Sequence, residues 1–122
     1  MTLALVMVAA AVGAPFRYVV DQAVQQRWPG AFPAGTLTIN LSGSVLLGLL
    51  TGLAAQHGLA AQAVTVLGTG LLGAYTTFST FSYETVRLLE DGAVAEAALN
   101  VVGSLALGLA AAGAGLGLAL LI

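Results

Sequence analysis

Four long apolar stretches make up most of this chain, and short joints rich in polar residues, Pro or Gly separate them. A membrane-spanning helix needs about 20 mostly apolar residues, and each stretch can supply them. The pattern therefore predicts four spans, at residues 2–24, 33–55, 59–89 and 94–122, within one transmembrane domain covering residues 1–122. Because the joints are short, consecutive spans should run in opposite directions as an up-down-up-down bundle.

Composition agrees with a protein whose solvent is largely lipid. Hydrophobic residues make up 59% of the 122 residues and charged residues 7%, whereas soluble domains carry about 25% charged residues. The formal net charge of -2 and the three basic residues provide no patch for nucleic acid, and the lack of cysteine excludes disulfides and thiolate sites. No basic segment precedes the first apolar stretch, so we expect that stretch to remain as a span rather than to be removed as a signal peptide.

Pairs of glycines four residues apart occur in the second and fourth spans. These pairs are Gly48 with Gly52 and Gly113 with Gly117. Small residues at this spacing let two helix backbones approach closely in lipid, where close packing rather than the hydrophobic effect holds helices together. We expect both pairs to lie at helix–helix contacts.

Polar side chains recur at steps of four in the same two spans. Thr36, Asn40 and Ser44 share one face of the second span, and Asn100 and Ser104 share one face of the fourth. An unpaired polar group in hydrocarbon costs several kcal/mol, so these side chains should face protein or a water-filled path. Two interpretations stay open for Asn40: a hydrogen bond that joins two helices, or part of a polar strip along an ion pathway.

The most unusual segment is residues 73–82, in the middle of the third span. It is rich in Gly, Thr and Ser, which are weak helix formers. We expect a helix break near residues 73–80, because broken helices at membrane depth line cavities or bind ions. Phe78 and Phe81 share a face there, either as core packing or with their ring edges, which carry partial positive charge, directed toward an anion.

Few ionisable residues could take part in chemistry. Arg17 could extend to the membrane interface or attract anions in a vestibule, and Glu84 could be an acid in the path or an interfacial residue. The one histidine, His57, lies in a joint, and the chain contains no nucleotide-binding loop, metal-ligand cluster or nucleophile–base pair. We therefore expect a protein that is not an enzyme.

At this point the motifs resemble those of Fluc-type (CrcB) fluoride channels, and the similarity covers the whole chain. The third-helix motif of that family is the most specific match, at residues 76–84. The supporting matches are residues 13–18, residues 35–44 with Gly48, Gly73, and Ser104 with Gly108.

This resemblance implies passive export of toxic fluoride across the inner (plasma) membrane. It also implies an antiparallel, dual-topology homodimer with two fluoride pathways and a central structural sodium ion. The resemblance assigns the ring-edge contacts to Phe78 and Phe81, and donation to the ion to Asn40. The implied pathway also includes Thr36, Thr80, Glu84, Asn100, Ser104 and, at its vestibule, Arg17. Sodium would be held by backbone carbonyls of Gly73 and Thr76.

Two features depart from the family's usual pattern. Asn100 stands where a tyrosine is usual, so the outer part of the pathway could differ. In addition, Arg17, Arg27 and Arg87 all lie at or near one side of the predicted bundle. Such a bias favours one orientation. The partner could then be a homologous subunit inserted the opposite way, although we favour the homodimer.

Two other functions compete with a channel. A small multidrug-type transporter would need a membrane-embedded carboxylate, and the first half of the first span has none. A purely structural membrane subunit would explain the glycines but not the Thr/Phe/Ser segment in the middle of the third span.

Overall fold

The protein is entirely helical in the computed structural model, which describes all 122 residues, Met1–Ile122. The predicted all-helical fold is thus confirmed. The helical elements are α1 (Thr2–Arg27), α2 (Ala34–His57), α3 (Ala61–Val64), a π-helical segment (Thr65–Leu72), α4 (Gly73–Tyr75), α5 (Phe78–Glu90) and α6 (Val94–Ala119).

Three of the helices, α1, α2 and α6, are long and apolar enough to cross a membrane. α1 continues three residues past the predicted end of its span, and α6 ends three residues before the predicted end of the fourth. At the end of α2 the backbone conformation of the next residue terminates the helix. Gly58 follows α2 with φ 62°, a left-handed conformation that glycine adopts without strain.

The third predicted span is the irregular one. From Ala61 to Tyr75 the chain is helical, but Thr65–Leu72 has the wider π-helical turn, a feature the sequence did not predict. Thr76 (ψ 163°) and Thr77 (φ -149°, ψ 123°) are then extended before α5 begins at Phe78. The β-branched threonines fit this extended backbone better than they fit a helix.

Close packing of α2 against α6 forms the most extensive helix–helix contact. A Cβ added at Gly48 would meet the carbonyl oxygen of Ala112, and one added at Gly115 would meet the carbonyl oxygen of Val45. Gly52 likewise lies against Ala119. The two backbones therefore touch, which needs glycine at the contact points.

The expectation for Gly113 and Gly117 is wrong within the protomer. A Cβ added at either position would meet nothing within 4 Å, whereas Gly115 makes the close approach. The reason is the rotation of α6 about its axis. Ala112, Gly115 and Ala119 face α2, and this face does not include the pair four residues apart.

Most large apolar side chains face outward, as they should when lipid is the solvent. Leu105 is 61% exposed and Leu109 76% exposed, and only 18 of 122 residues are buried. The small core includes Ile39, Leu50 and Leu72. Lipid-facing leucine carries no penalty in a bilayer, so the fold is held by close packing and hydrogen bonds.

Charge is confined to one end of the bundle. All three arginines and all five acidic residues lie in residues 17–27 and 84–96. These residues belong to the second half of α1, the second half of α5 and the start of α6, which antiparallel helices bring to the same half of the bundle. The opposite end carries uncharged polar side chains such as Gln56 and Gln62, with His57.

Candidate functional site

The extended residues Thr76 and Thr77 are held by Asn40 of α2. The Asn40 amide Nδ2 donates to the carbonyl oxygen of Thr77 at 2.9 Å, and the Thr77 N–H donates to Asn40 Oδ1 at 2.9 Å. Both backbone groups would otherwise lack partners at membrane depth, which costs several kcal/mol. Of the two interpretations of Asn40, the hydrogen bond between helices is therefore present, and one hydrogen of its amide group remains for another acceptor.

Arg17 of α1 holds the first of these two residues, Thr76. Its Nη1 donates to the carbonyl oxygen of Thr76 at 3.2 Å, and the side chain is half-buried. A guanidinium inside a membrane protein normally pairs with backbone carbonyls or faces a water-filled cavity. Arg17 hydrogen-bonds within the protein here, rather than extending only toward the membrane interface.

The N-terminus of α5 follows Thr77 directly, at the end of the extended segment. Thr77 caps this helix: its hydroxyl accepts the N–H of Thr80 at 3.2 Å and donates to the Thr80 hydroxyl at 2.9 Å. The N–H groups of Phe78 and Ser79 come too early in the helix for intrahelical acceptors. With the positive end of the helix dipole, they favour a negative charge at this place.

Phe78 and Phe81 project from this same helix end. Their ring centroids are 5.7 Å apart and their planes are tilted by 44°. Phe78 is 78% exposed on the surface of the protomer, whereas Phe81 is half-buried. A tilted pair presents ring edges, and the side chain of Phe78 is not part of the protomer's core.

Three cavities follow one another from the middle of the bundle to its charged end. A groove of about 290 Å³ is lined by Asn40, Gly73, Thr76, Thr77 and Phe78, among others. A second cavity of about 160 Å³ shares Thr77 with the groove and includes Arg17, Asp21, Thr36 and Thr80. A third, of about 250 Å³, shares Asp21 with the second and includes Gln25, Glu84, Arg87 and Asp91. The polar residues predicted from α1, α2 and the third span thus line cavities that are linked by Thr77 and Asp21.

Thr36 joins α2 to α5 between the second and third cavities. It is 2% exposed, and its hydroxyl donates to Glu84 Oε1 at 3.0 Å. The other carboxylate oxygen, Glu84 Oε2, is buried without a hydrogen-bond partner. Buried polar atoms are rarely left unpaired, so Glu84 Oε2 marks a position where water or another polar group would be favourable.

Comparison with known proteins places this chain in a family. The sequence model of the family described as CrcB-like protein, Camphor Resistance (CrcB), matches residues 4–116. This chain belongs to the CrcB-like family.

Curated members of the CrcB-like family are similar over most of the chain. Fluoride-specific ion channel FluC 1 of Streptomyces avermitilis is 54% identical over 108 residues, covering 88% of this chain and 87% of the relative. The protein of the same name from Frankia casuarinae is 53% identical over 116 residues, covering 89% and 90%. Fluoride-specific ion channel FluC of Methylobacterium nodulans is 50% identical over 109 residues, covering 88% and 87%. The resemblance drawn from the motifs is therefore confirmed, and these relatives are named as channels rather than enzymes.

In this CrcB-like chain Asn100 and Ser104 lie apart from the three cavities. Asn100 is 1% exposed, and its Nδ2 donates to the hydroxyl of Thr85 at 2.9 Å. The Ser104 hydroxyl donates to Asn100 Oδ1 at 3.4 Å. Together the side chains of Thr85, Asn100 and Ser104 form a polar clasp between α5 and α6.

Sequence reasoning missed Asp21 and Thr77 as parts of this CrcB-like site. Asp21 lines two of the cavities, and a Cβ at Gly35 would meet its carboxylate oxygen. Its position one helical turn after Arg17 was the available signal, because residues four apart share a helix face. Thr77 could have been recognised as a cap, since Thr commonly precedes the first turn of a helix.

Proposed function

We propose that this chain is a subunit of a fluoride channel that allows passive export of fluoride across the cell's inner membrane. The observation that carries the proposal is the series of three cavities, linked by Thr77 and Asp21, from Asn40 and Phe78 to Glu84 at the charged end. The printed names of the relatives, fluoride-specific ion channel, support it.

The physical problem for such a channel is the cost of taking a small anion out of water. A bare ion in a low-dielectric interior costs tens of kcal/mol, so the protein must offer replacement contacts along the path. The N-terminus of α5 supplies N–H donors and a favourable dipole near the bilayer centre. Ring edges of Phe78 and Phe81 add weak attraction without a tight binding site, which suits conduction because the ion must also leave.

In this proposal each side chain has a defined part. Asn40 donates its free amide hydrogen to the ion, while its other atoms hold Thr77. The Thr80 hydroxyl continues the donors beyond Asn40, and Arg17 attracts the anion into the second cavity. Thr36 lines the same cavity and directs its hydroxyl proton to Glu84. Asn100 and Ser104 extend the pathway along α6, with Asn100 in the place of the family's usual tyrosine.

A second protomer would complete the pathway. The groove that contains Asn40 and Thr76 is open at the protomer surface, and Phe78 beside it is 78% exposed. Polar backbone groups at membrane depth are tolerated where protein or water, rather than lipid, covers them. We propose that an antiparallel second copy covers this groove, so that its Phe78 and the groove of its partner face each other across the interface.

The orientation of the two copies follows from the charged end. A dual-topology homodimer would place one charged end at each membrane surface. All three arginines lie at one end, which favours a single orientation of each chain. An oppositely inserted homologous subunit is therefore the alternative partner, and the experiment below separates the two.

The carbonyl oxygens of Gly73 and Thr76 fit a hard cation such as sodium in part. In a regular helix the Gly73 carbonyl would accept the N–H of Thr77, but that N–H donates to Asn40 instead. Gly73 is also exposed on the protomer surface. Thr76 adds a second oxygen, although one of its lone pairs accepts Arg17. Carbonyl oxygen is the ligand type that hard cations prefer, and we propose that these two groups hold a structural sodium ion together with the partner's. Such an ion would offset the partial negative charges of the carbonyl oxygens that meet at the interface.

The direct test is fluoride efflux from liposomes that contain only this purified chain, with chloride efflux as the control. Rapid fluoride loss with retained chloride would support a selective channel formed by a homodimer. If neither ion leaves liposomes that contain folded protein, the homodimer proposal fails. Co-reconstitution with a homologous chain whose basic residues lie at the other end then tests the paired channel. If fluoride still does not leave the liposomes that contain both chains, the proposed function is ruled out.

A further inference from the structure

Tyr75 makes a polar contact that neither the motif nor the proposed pathway uses. Its hydroxyl lies 2.8 Å from the hydroxyl of Ser42 on α2, and the residue is 6% exposed. Its ring packs against Phe16 of α1, with centroids 5.7 Å apart. A tyrosine hydroxyl at membrane depth is costly to bury unless it is hydrogen-bonded, whereas a phenylalanine would pack there without that requirement.

The direction of this hydrogen bond follows from the partner of Ser42. The Ser42 hydroxyl donates its single proton to the carbonyl oxygen of Ile39 at 3.1 Å. It can then only accept from Tyr75, because a serine hydroxyl has one hydrogen. Tyr75 therefore donates to Ser42, and the chain of hydrogen bonds ends on the backbone next to Asn40.

The Tyr75–Ser42 pair lies beside the extended residues Thr76 and Thr77. Tyr75 is the last residue of α4, directly before Thr76 and Thr77. On the far side of Thr76, Asn40 holds Thr77 with two hydrogen bonds. Between them, the methyl group of Thr76 lies where a Cβ at Gly43 would be. One face of α2 thus holds three consecutive residues, 75, 76 and 77.

We propose that Tyr75 and Ser42 are positioning residues of the channel: their hydrogen bond fixes the end of α4, and with it the direction of the Thr76 carbonyl and the start of α5. This inference rests on the proposed fluoride conduction. Thr76 itself is bonded to Leu72 of its own chain segment and to Arg17 of α1, and Asn40 ties only Thr77 to α2. The Tyr75–Ser42 hydrogen bond adds a second attachment to α2 on the other side of Thr76, so that Phe78 and the N–H groups of α5 keep one arrangement while ions pass.

The test compares Tyr75→Phe, Ser42→Ala and the double variant in the liposome assay at low protein density. Two quantities are read separately: the fraction of liposomes that empty, which counts folded channels, and the rate at which those liposomes empty. Removing the hydrogen bond should slow efflux roughly fivefold at an unchanged fraction, since one hydrogen bond contributes about 1 kcal/mol. Because both single variants remove the same contact, the double variant should be no slower than either.

Tyr83→Phe is the matched control. Tyr83 is 66% exposed on α5 and lies outside the three cavities, so its variant should keep the rate of the natural protein. A merely structural role of Tyr75 would lower the fraction of emptied liposomes and leave the rate unchanged, which would overturn the inference. Natural rates in both single variants, or losses that multiply in the double variant, would also overturn it. An inactive natural protein would instead count against the proposed function itself.

Discussion

The two faces of α2 show two different ways of holding a helix in a membrane. On one face, Gly48 and Gly52 let the backbone touch α6, where Gly115 makes the reciprocal approach. On the other face, Asn40 and Ser42 hold the extended end of the third span through hydrogen bonds. The first contact depends on the absence of side chains at its glycines, and the second depends on particular polar atoms.

The two faces of α2 separate the packing scaffold of this small membrane protein from its candidate site. Close packing needs no directional group, so the α2–α6 contact can be rigid while contributing no polar atoms to the path. The polar face must satisfy every freed backbone group, and the same atoms can then face an ion. Changes on the first face should therefore remove the fold, and changes on the second should mainly alter conduction.

The largest effect is expected from Gly115→Ala. Its Cβ would meet the carbonyl oxygen of Val45, so α2 and α6 must separate, which should cost about 3 kcal/mol. The free energy of unfolding in mixed detergent micelles measures this loss. Gly113→Ala is the matched control, because nothing lies within 4 Å of its Cβ and alanine favours helix. Equal stability of the two variants would contradict the close approach.

Asn40→Leu should have the next largest effect, and chiefly on flux. Leucine leaves the N–H and carbonyl of Thr77 unpaired, a loss of about 2 kcal/mol or more that falls on the extended residues. Fluoride efflux should drop roughly thirtyfold, because a loss of about 2 kcal/mol falls on the residues that line the path. Thr51→Val serves as the control on the same helix, since the Thr51 hydroxyl donates only to the carbonyl oxygen of Leu47, one turn earlier in α2. Unchanged flux in Asn40→Leu would break the distinction between the two faces.

Phe78→Ile should give a smaller loss of flux without a loss of stability. Phe78 is 78% exposed in the protomer, so the substitution opens no cavity in its core. Loss of the ring edge should slow fluoride efflux roughly fivefold, since aromatic edge contacts contribute about 1 kcal/mol. Tyr83→Ile replaces another exposed aromatic ring on α5 and should leave efflux unchanged. Equal rates in the two variants would sink the ring-edge role.

Thr85→Val should have the smallest effect and should act on stability. It removes the hydroxyl that accepts from Asn100 and leaves the buried amide short of one partner, at a cost of about 1 kcal/mol. Unfolding in mixed micelles measures the loss, with Thr65→Val as the control because the Thr65 hydroxyl bonds only Ala61 of its own helix turn. Unchanged stability in Thr85→Val would mean that the clasp between α5 and α6 contributes little to the free energy of unfolding.

Much of this arrangement could be predicted from the sequence, and the failures have identifiable causes. Asn40, Thr76 and Phe78 were predicted from polar spacing and the family motif, and they do line one groove. The wrong expectation for Gly113 and Gly117 came from reading spacing without knowing how α6 is rotated. The π-helical turn of Thr65–Leu72 was missed because its residues carry no local signal that distinguishes it from α-helix.

The sequence by itself determined the solvent, the number of apolar stretches, the charged end and the family, because each depends on composition or on short motifs that can be read along the chain. Only the tertiary structure decided which atoms meet: Asn40 with Thr77, 37 residues apart, and Arg17 with Thr76, 59 residues apart. Those pairings depend on the rotation and depth of each helix. Packing between backbones sets both, and no local pattern records them.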